Sequence, residues 1–319
     1  METTSSVKII RPPKKPKKKT DIKMTKSDRI KVNLMTVPAI VLYSVFLVVP
    51  IFMAIYFSFN DWNGIAGNPL KFVGFKNYLT AFKDPLFMTS LKNLGSMLFF
   101  SVLCHTPIAL LLAVALNQKV KGKRFFKVLF FVPTIFPLTA IGLLWYFIFM
   151  PNGSLNSLLG SLGLENLVTG WLINPSTAMP TIIFVNIWAG IGYYMIILLA
   201  GLKGIPDDLY EAAHMDGANS IQTFFKVTVP MLKPVIGLCL VLDIIGTIKI
   251  FDLVFVMTAG GPNGLTNLPT TLIYSQAFLY DNYGLGSAIG VILLLITVTV
   301  TLSGKGILKW NEKRGLKND

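Results

Sequence analysis

Apolar residues run along this chain in blocks too long for a strand and too continuous for a surface helix, with polar breaks between them. A helix rises about 1.5 Å per residue, so roughly 20 apolar residues cover the hydrocarbon of a bilayer, where no backbone N–H or C=O can go unpaired. Stretches of that length occur near residues 37–59, 93–117, 126–149, 179–201, 231–257 and 285–304. They predict an all-α integral membrane protein with about six transmembrane helices. Pro107 in the second stretch, and Pro133 with Pro137 in the third, each remove a backbone donor and predict bends. Gly286 and Gly290, with Ala288 between them, give the last stretch a small-residue face suited to close helix packing.

Composition agrees with the pattern: 53% of the 319 residues are hydrophobic and 14% charged, a balance foreign to a water-soluble domain. The formal charge of +14 does not point to nucleic acid, because the cations fall at alternate ends of the apolar stretches. Of the 29 lysines and arginines, Lys71, Lys76, Lys83 and Lys92 lie on one side and Lys249 within a stretch. The others fill the two tails and the segments Lys119–Lys127 and Lys203–Lys233. The excess of positive charge on one side places both termini in the cytoplasm, as an even number of crossings requires. The first apolar stretch starts too late and runs too long for a cleaved signal peptide.

The chain reads as a basic, disordered cytoplasmic tail over 1–31, one membrane domain over 32–310, and a C-terminal cytoplasmic tail over 311–319. The outward loops span 60–92, 151–178 and 259–284, the last opening on Gly260-Gly261-Pro262-Asn263-Gly264. Cys104, Cys239, His105 and His214 look isolated in sequence, which argues against a disulfide frame or a metal site and for buried thiols and satisfied imidazoles.

One polar island, 206–230, separates the fourth and fifth stretches. Pro206 suits a helix start, and Asp207, Asp208 and Glu211 place negative charge near the positive end of the helix dipole. Leu209, Ala212 and Ala213 give that helix a narrow apolar stripe. Gly217 offers a turn, and Asn219 with Gln222 has the spacing of a capping box, predicting a second short helix from Ser220 toward Val227 before Val229-Pro230 returns the chain to lipid. The expected result is an elbow held at both ends by membrane helices.

At these residues the sequence resembles a known family. Glu211-Ala212-Ala213, Asp216-Gly217-Ala218, Phe225, Val229-Pro230 and Pro234 are similar to the EAA signature of binding-protein-dependent ABC importer permeases. Val227 and Val229 depart from it in keeping apolar character without the more usual isoleucine and leucine. Phe72-Val73-Gly74-Phe75-Lys76-Asn77-Tyr78 and the run from Ile250 to Pro262 resemble the carbohydrate, maltose-type branch. The resemblance implies a type I importer fold in a bacterial-type cytoplasmic membrane. It also implies a second homologous permease, two ATPase subunits and an extracellular sugar-binding protein as partners. By the same resemblance the elbow is the coupling segment, with Glu211, Ala212, Ala213, Asp216 and Gly217 at the ATPase contact. The chain lacks a G-x-x-x-x-G-K-[ST] phosphate loop, so ATP and its Mg are expected on the partner subunits, with no cofactor, catalytic residue or metal here.

A sugar path wants aromatic faces and hydrogen-bonding groups. The fourth stretch supplies Asn186, Trp188 and Tyr194, and the fifth supplies Lys249, three residues from Asp252 on one helix face, either buried in a polar translocation cavity or paired with Asp252 and reaching toward the outer surface. Asp243 in the same stretch has no evident partner. A phosphate solute such as glycerol-3-phosphate would want several basic groups along the path, and an ATP-independent secondary transporter would leave the elbow without a purpose. A membrane enzyme would want paired carboxylates or a histidine cluster at one interface, which the sequence does not display.

Overall fold

A computed structural model of the protein describes residues 26–118 and 121–315, with side chains over 34–118 and 121–304. Most of the expected N-terminal tail lies outside the described residues. Helix α1, Lys26–Tyr43, begins five residues before the tail boundary drawn at Lys31. The chain divides into two units, Met1–Phe52 and Met53–Asp319. In the first, α1 passes through a π-helical turn at Ser44–Val48 into α2, Val49–Ser58, and every described side chain up to Phe52 is exposed or half-buried.

In the second unit a two-residue antiparallel pair, β1 (Asn60–Asp61) and β2 (Lys71–Phe72), leads to α3, Lys76–Lys83, and the 33-residue α4, Pro85–Asn117. Asp84 caps α4, its carboxylate accepting from the Leu86 N–H at 2.9 Å. Next come α5 (Lys123–Ile135), α6 (Leu138–Phe149), α7 (Ser154–Ser161) and α8 (Ala178–Leu202). The elbow holds α9 (Asp207–Met215) and α10 (Ser220–Thr223), followed by α11 (Val229–Ile248) and α12 (Asp252–Thr258). The chain closes with α13 (Pro269–Tyr274) and α14 (Tyr283–Gly315). Among the described residues six helical stretches are long and apolar enough to cross a membrane: Leu34–Ser58, Pro85–Asn117, Leu138–Ser161, Ala178–Leu202, Ser220–Ile248 and Tyr283–Gly304.

Two of the expected stretches differ from this. The third does not run unbroken over 126–149: the residue before a proline is driven out of helical geometry, and Phe136 turns extended (ψ 145°) ahead of Pro137, separating α5 from α6. Pro107, by contrast, sits inside an uninterrupted α4. The fifth stretch ends at Ile248 and not at 257. The Ile250 carbonyl is taken by the Thr270 hydroxyl at 2.5 Å, Phe251 leaves helical geometry (φ −129°, ψ −57°), and α12 starts afresh at Asp252.

Packing depends on close backbone approach at small residues. A Cβ on Gly192 of α8 would lie 2.1 Å from the Phe130 carbonyl oxygen of α5, and one on Gly286 would lie 3.1 Å from the Ala277 Cβ. Gly286 thus serves packing, as read from sequence, whereas a Cβ on Gly290 would meet only the Ile273 Cδ1 at 3.9 Å. Gly192→Val should cost about 2 kcal/mol through overpacking, seen as a lower thermal midpoint of the purified protein; an unchanged midpoint would mean that α5 is free to move off α8.

Among the described residues the core holds three apolar clusters, with a polar layer between the two larger. One gathers Leu94, Met97, Ile141, Ile182, Leu253 and Met257, another Ala113, Leu116, Met195, Leu198, Leu232 and Cys239, and the smallest Ala81, Phe87, Leu272, Ile289 and Ile292. Between the two larger, along α4, α8 and α11, lie the buried polar residues Ser101, His105, Asn186, Asp243 and Thr247.

Candidate functional site

The elbow forms as its local chemistry dictates. Pro206 precedes α9 as its N-cap (φ −60°, ψ 137°), one position earlier than the sequence suggested, and Asp207 and Asp208 fill the first turn. The helix ends where Gly217 turns to φ +75°, which its missing side chain makes easy. The Gly217 N–H donates to the His214 carbonyl at 3.0 Å and the Ala218 N–H to the Ala213 carbonyl at 2.9 Å, the paired bonds of a Schellman stop. The capping box forms: the Asn219 side chain accepts from the Gln222 N–H at 2.8 Å, and the Gln222 side chain accepts from the Asn219 N–H at 2.9 Å.

The second arm is not a separate short helix. Ser220–Thr223 passes through a π-helical turn, Phe224–Thr228, directly into α11, so this arm and the membrane helix form one continuous rod. The turn ends two residues before Pro230, as the turn at Ser44–Val48 ends two before Pro50. Proline lacks the donor an α-turn needs and crowds the preceding turn, and a widened turn relieves both. Tyr210 ties the arms together, its hydroxyl 3.4 Å from the buried Thr228 hydroxyl.

Glu211, Ala212, Asp216 and Gly217 are exposed and Ala213 half-buried. Around them Met215 is 88% exposed, Ile221 70% and Phe225 64%. The elbow therefore presents an apolar surface edged by carboxylates, which the chain itself does not cover.

The second feature is a cavity of about 230 Å³ between α4, α5, α6, α8 and α11. His105, Thr134, Asn186, Tyr193, Tyr194, Asp243 and Thr247 supply its polar groups. Asp243, 1% exposed, accepts at Oδ1 from His105 Nδ1 (2.9 Å), the Tyr194 hydroxyl (3.5 Å) and the Thr247 hydroxyl (3.3 Å). The other imidazole nitrogen, Nε2, lies 3.2 Å from the Asn186 carbonyl oxygen. Both ring nitrogens thus stand within hydrogen-bond reach of an oxygen, one on α8 and one on α11. The Asn186 amide donates to the Ser101 hydroxyl at 2.9 Å. Asp243 Oδ2 is buried and makes no hydrogen bond among the described residues.

Of the residues nominated for a substrate path, Asn186 and Tyr194 line this cavity. Trp188 does not; it stacks edge-on against Trp145 at 5.3 Å and borders a different, apolar groove. Lys249 is exposed at the end of α11, not buried, and shares no helix face with Asp252 because the helix stops between them. His105 is satisfied, as expected, but it is not isolated, and its partner is the Asp243 that sequence left without one. A histidine–carboxylate pair is therefore present, in the core and not at an interface. A carboxylate amid a membrane-length apolar run signals a hidden partner, but nothing in the spacing selects a histidine 138 positions away.

A multi-pass membrane protein with a small internal polar cavity and a projecting elbow is the class these features define. The family described as binding-protein-dependent transport system inner membrane component matches residues 105–315, and the chain belongs to it. A probable ABC transporter permease protein of Bacillus subtilis, YurN, is 37% identical over 88% of this chain and 96% of its own. The trehalose/maltose transport system permease protein MalF of Thermococcus litoralis is 32% identical over 84% of this chain and 90% of its own. The fold is that of a bacterial ABC transporter solved by crystallography and involved in import of the acidic polysaccharide alginate (TM-score 0.77, 22% identity, 89% of this chain and 96% of that one).

Proposed function

We propose that this chain is a permease subunit of an ATP-driven importer, passing a sugar or oligosaccharide that an extracellular binding protein delivers. A second homologous permease completes the path. Two separate ATPase subunits bind ATP and Mg, and both termini of this chain face them in the cytoplasm. The observation that carries the reading is the elbow: it exposes an apolar and acidic surface, its second arm, 220–228, is continuous with α11, and Tyr210 links α9 to that arm, so a push there is delivered into the membrane helices. Glu211, Ala212, Ala213, Asp216 and Gly217 form the contact with the ATPase, and ATP-driven closure alternates the helices between inward- and outward-facing arrangements.

The cavity supports a hydroxyl-bearing solute. Its lining includes a carboxylate, an amide and several hydroxyls and no lysine or arginine, which disfavours a phosphate ester such as glycerol-3-phosphate. The trehalose/maltose relative agrees with a neutral sugar. Purified assembly reconstituted with its binding protein should take up labelled oligosaccharide only with ATP. Asn186→Ala should lower that uptake severalfold, while Trp188→Ala, outside the cavity, should alter it less. Equal uptake by the lone chain without ATP would replace this reading with a secondary transporter.

A further inference from the structure

A second groove, about 640 Å³, runs along α5 and α6 and is walled by Phe125, Val128, Leu129, Val132, Phe136 and Leu144, all 37–66% exposed. Its lining is apolar throughout and, measured along α5 from Phe125 to Phe136, it spans roughly 16 Å at the rise of a helix, close to the reach of a fatty acyl chain. At the end where α5 begins stand Lys123 and Arg124, both exposed, with Lys127 one turn on. Lys203, at the end of α8, joins them because α5 and α8 pack in contact at Phe130 and Gly192. Among the described residues no carboxylate forms an ion pair with any of the four. Burial, and after it the charges of Lys203 and Lys123, hold the Lys127 ammonium below the ordinary lysine range. Lys123 and Arg124 also occupy the first turn of α5, the end of a helix where positive charge is unfavourable.

We propose that this is a binding site for one anionic phospholipid of the cytoplasmic leaflet. Its headgroup lies among Lys123, Arg124, Lys127 and Lys203, and an acyl chain lies in the groove from Phe125 to Phe136. The occupant must be negative at one end and apolar along the next 16 Å or so, which a phospholipid is and an acidic segment of a soluble subunit is not. Basic clusters beside membrane helices attract anionic headgroups in this way. The site rests on the orientation proposed above, with the start of α5 facing inward.

The assembled complex, extracted from bilayers of mixed phosphatidylglycerol and phosphatidylcholine, can be examined by native mass spectrometry for retained lipid. Phosphatidylglycerol should be retained in preference. Lys123→Gln with Arg124→Gln should reduce that retention by about fivefold for each cation removed, and Lys123→Arg should preserve it. Val132→Trp, which fills the groove and leaves every charge in place, should also release the lipid. Retention unchanged by the glutamine variants, or unchanged by Val132→Trp, would overturn the site. So would equal retention of the two lipids, or cross-linking of an ATPase subunit to residue 123 in the same complex. The readout requires no transport, so loss of the lipid with sugar uptake intact refutes only this site, and retained lipid without ATP-driven uptake refutes only the importer.

Discussion

Asp243→Ala is expected to destabilise the protein by about 3 kcal/mol and to lower its thermal midpoint by about 5 °C or more. Asp243 is 1% exposed and accepts from groups on three helices: His105 of α4, Tyr194 of α8 and Thr247 of its own α11. Alanine leaves the imidazole and the phenol buried without their acceptor, and removing one side of a buried hydrogen-bonded pair costs more than replacing both sides by apolar groups. The double variant His105→Leu with Asp243→Leu removes both partners and fills the space. It should recover to within about 1 kcal/mol of the parent, yet transport poorly because the cavity loses its polar wall. A double variant no more stable than Asp243→Ala would mean that the pair does not act as a unit. Recovery of both stability and uptake would remove the cavity from the transport path.

Glu211→Lys is expected to reduce ATP-driven uptake by about tenfold or more while the protein still inserts and assembles in its native fold. Glu211 is exposed on α9, flanked by Ala212 and followed by Met215, which is 88% exposed. The change therefore leaves the internal packing alone and alters only what a partner meets. Charge reversal in a covered interface leaves a like charge or an unpaired one, at several times the cost of a surface substitution. Sugar uptake, together with ATP hydrolysis by the same preparation, distinguishes the outcomes. Hydrolysis that persists while uptake falls places the defect in the linkage, and undiminished uptake removes Glu211 from it.

Most of the scaffold is legible in the sequence because lipid is an undemanding reader: six apolar stretches of adequate length are enough to specify six helices. The elbow is legible for a different reason. Gly217, Asn219 and Gln222 act on their own neighbours within a few residues, and the turn and the capping box form where the chemistry puts them. The breaks are harder to read. The hydropathy of the fifth stretch continues past Ile248, and the helix stops there because a hydroxyl twenty residues downstream, that of Thr270, claims the Ile250 carbonyl. The same distance problem hides the cavity. Asn186 and Tyr194 can be nominated from their own helix, whereas the His105–Asp243 pair exists only once α4 and α11 are side by side. Lys249 is hard to place for the same reason: hydropathy does not show that the helix ends at Ile248, where the lysine is exposed.

For the elbow to transmit force from a motor subunit to the membrane helices, that subunit must touch it. Cys104 and Cys239 can be replaced by serine and a single cysteine introduced by Ala212→Cys, then coupled to a photoreactive benzophenone maleimide in the purified, reconstituted complex. Mass spectrometry then identifies the chain captured on illumination, with and without ATP. The account predicts an efficient cross-link to an ATPase subunit in both conditions. Reaction with solvent alone in every nucleotide state, with no cross-link to any ATPase subunit, would contradict it.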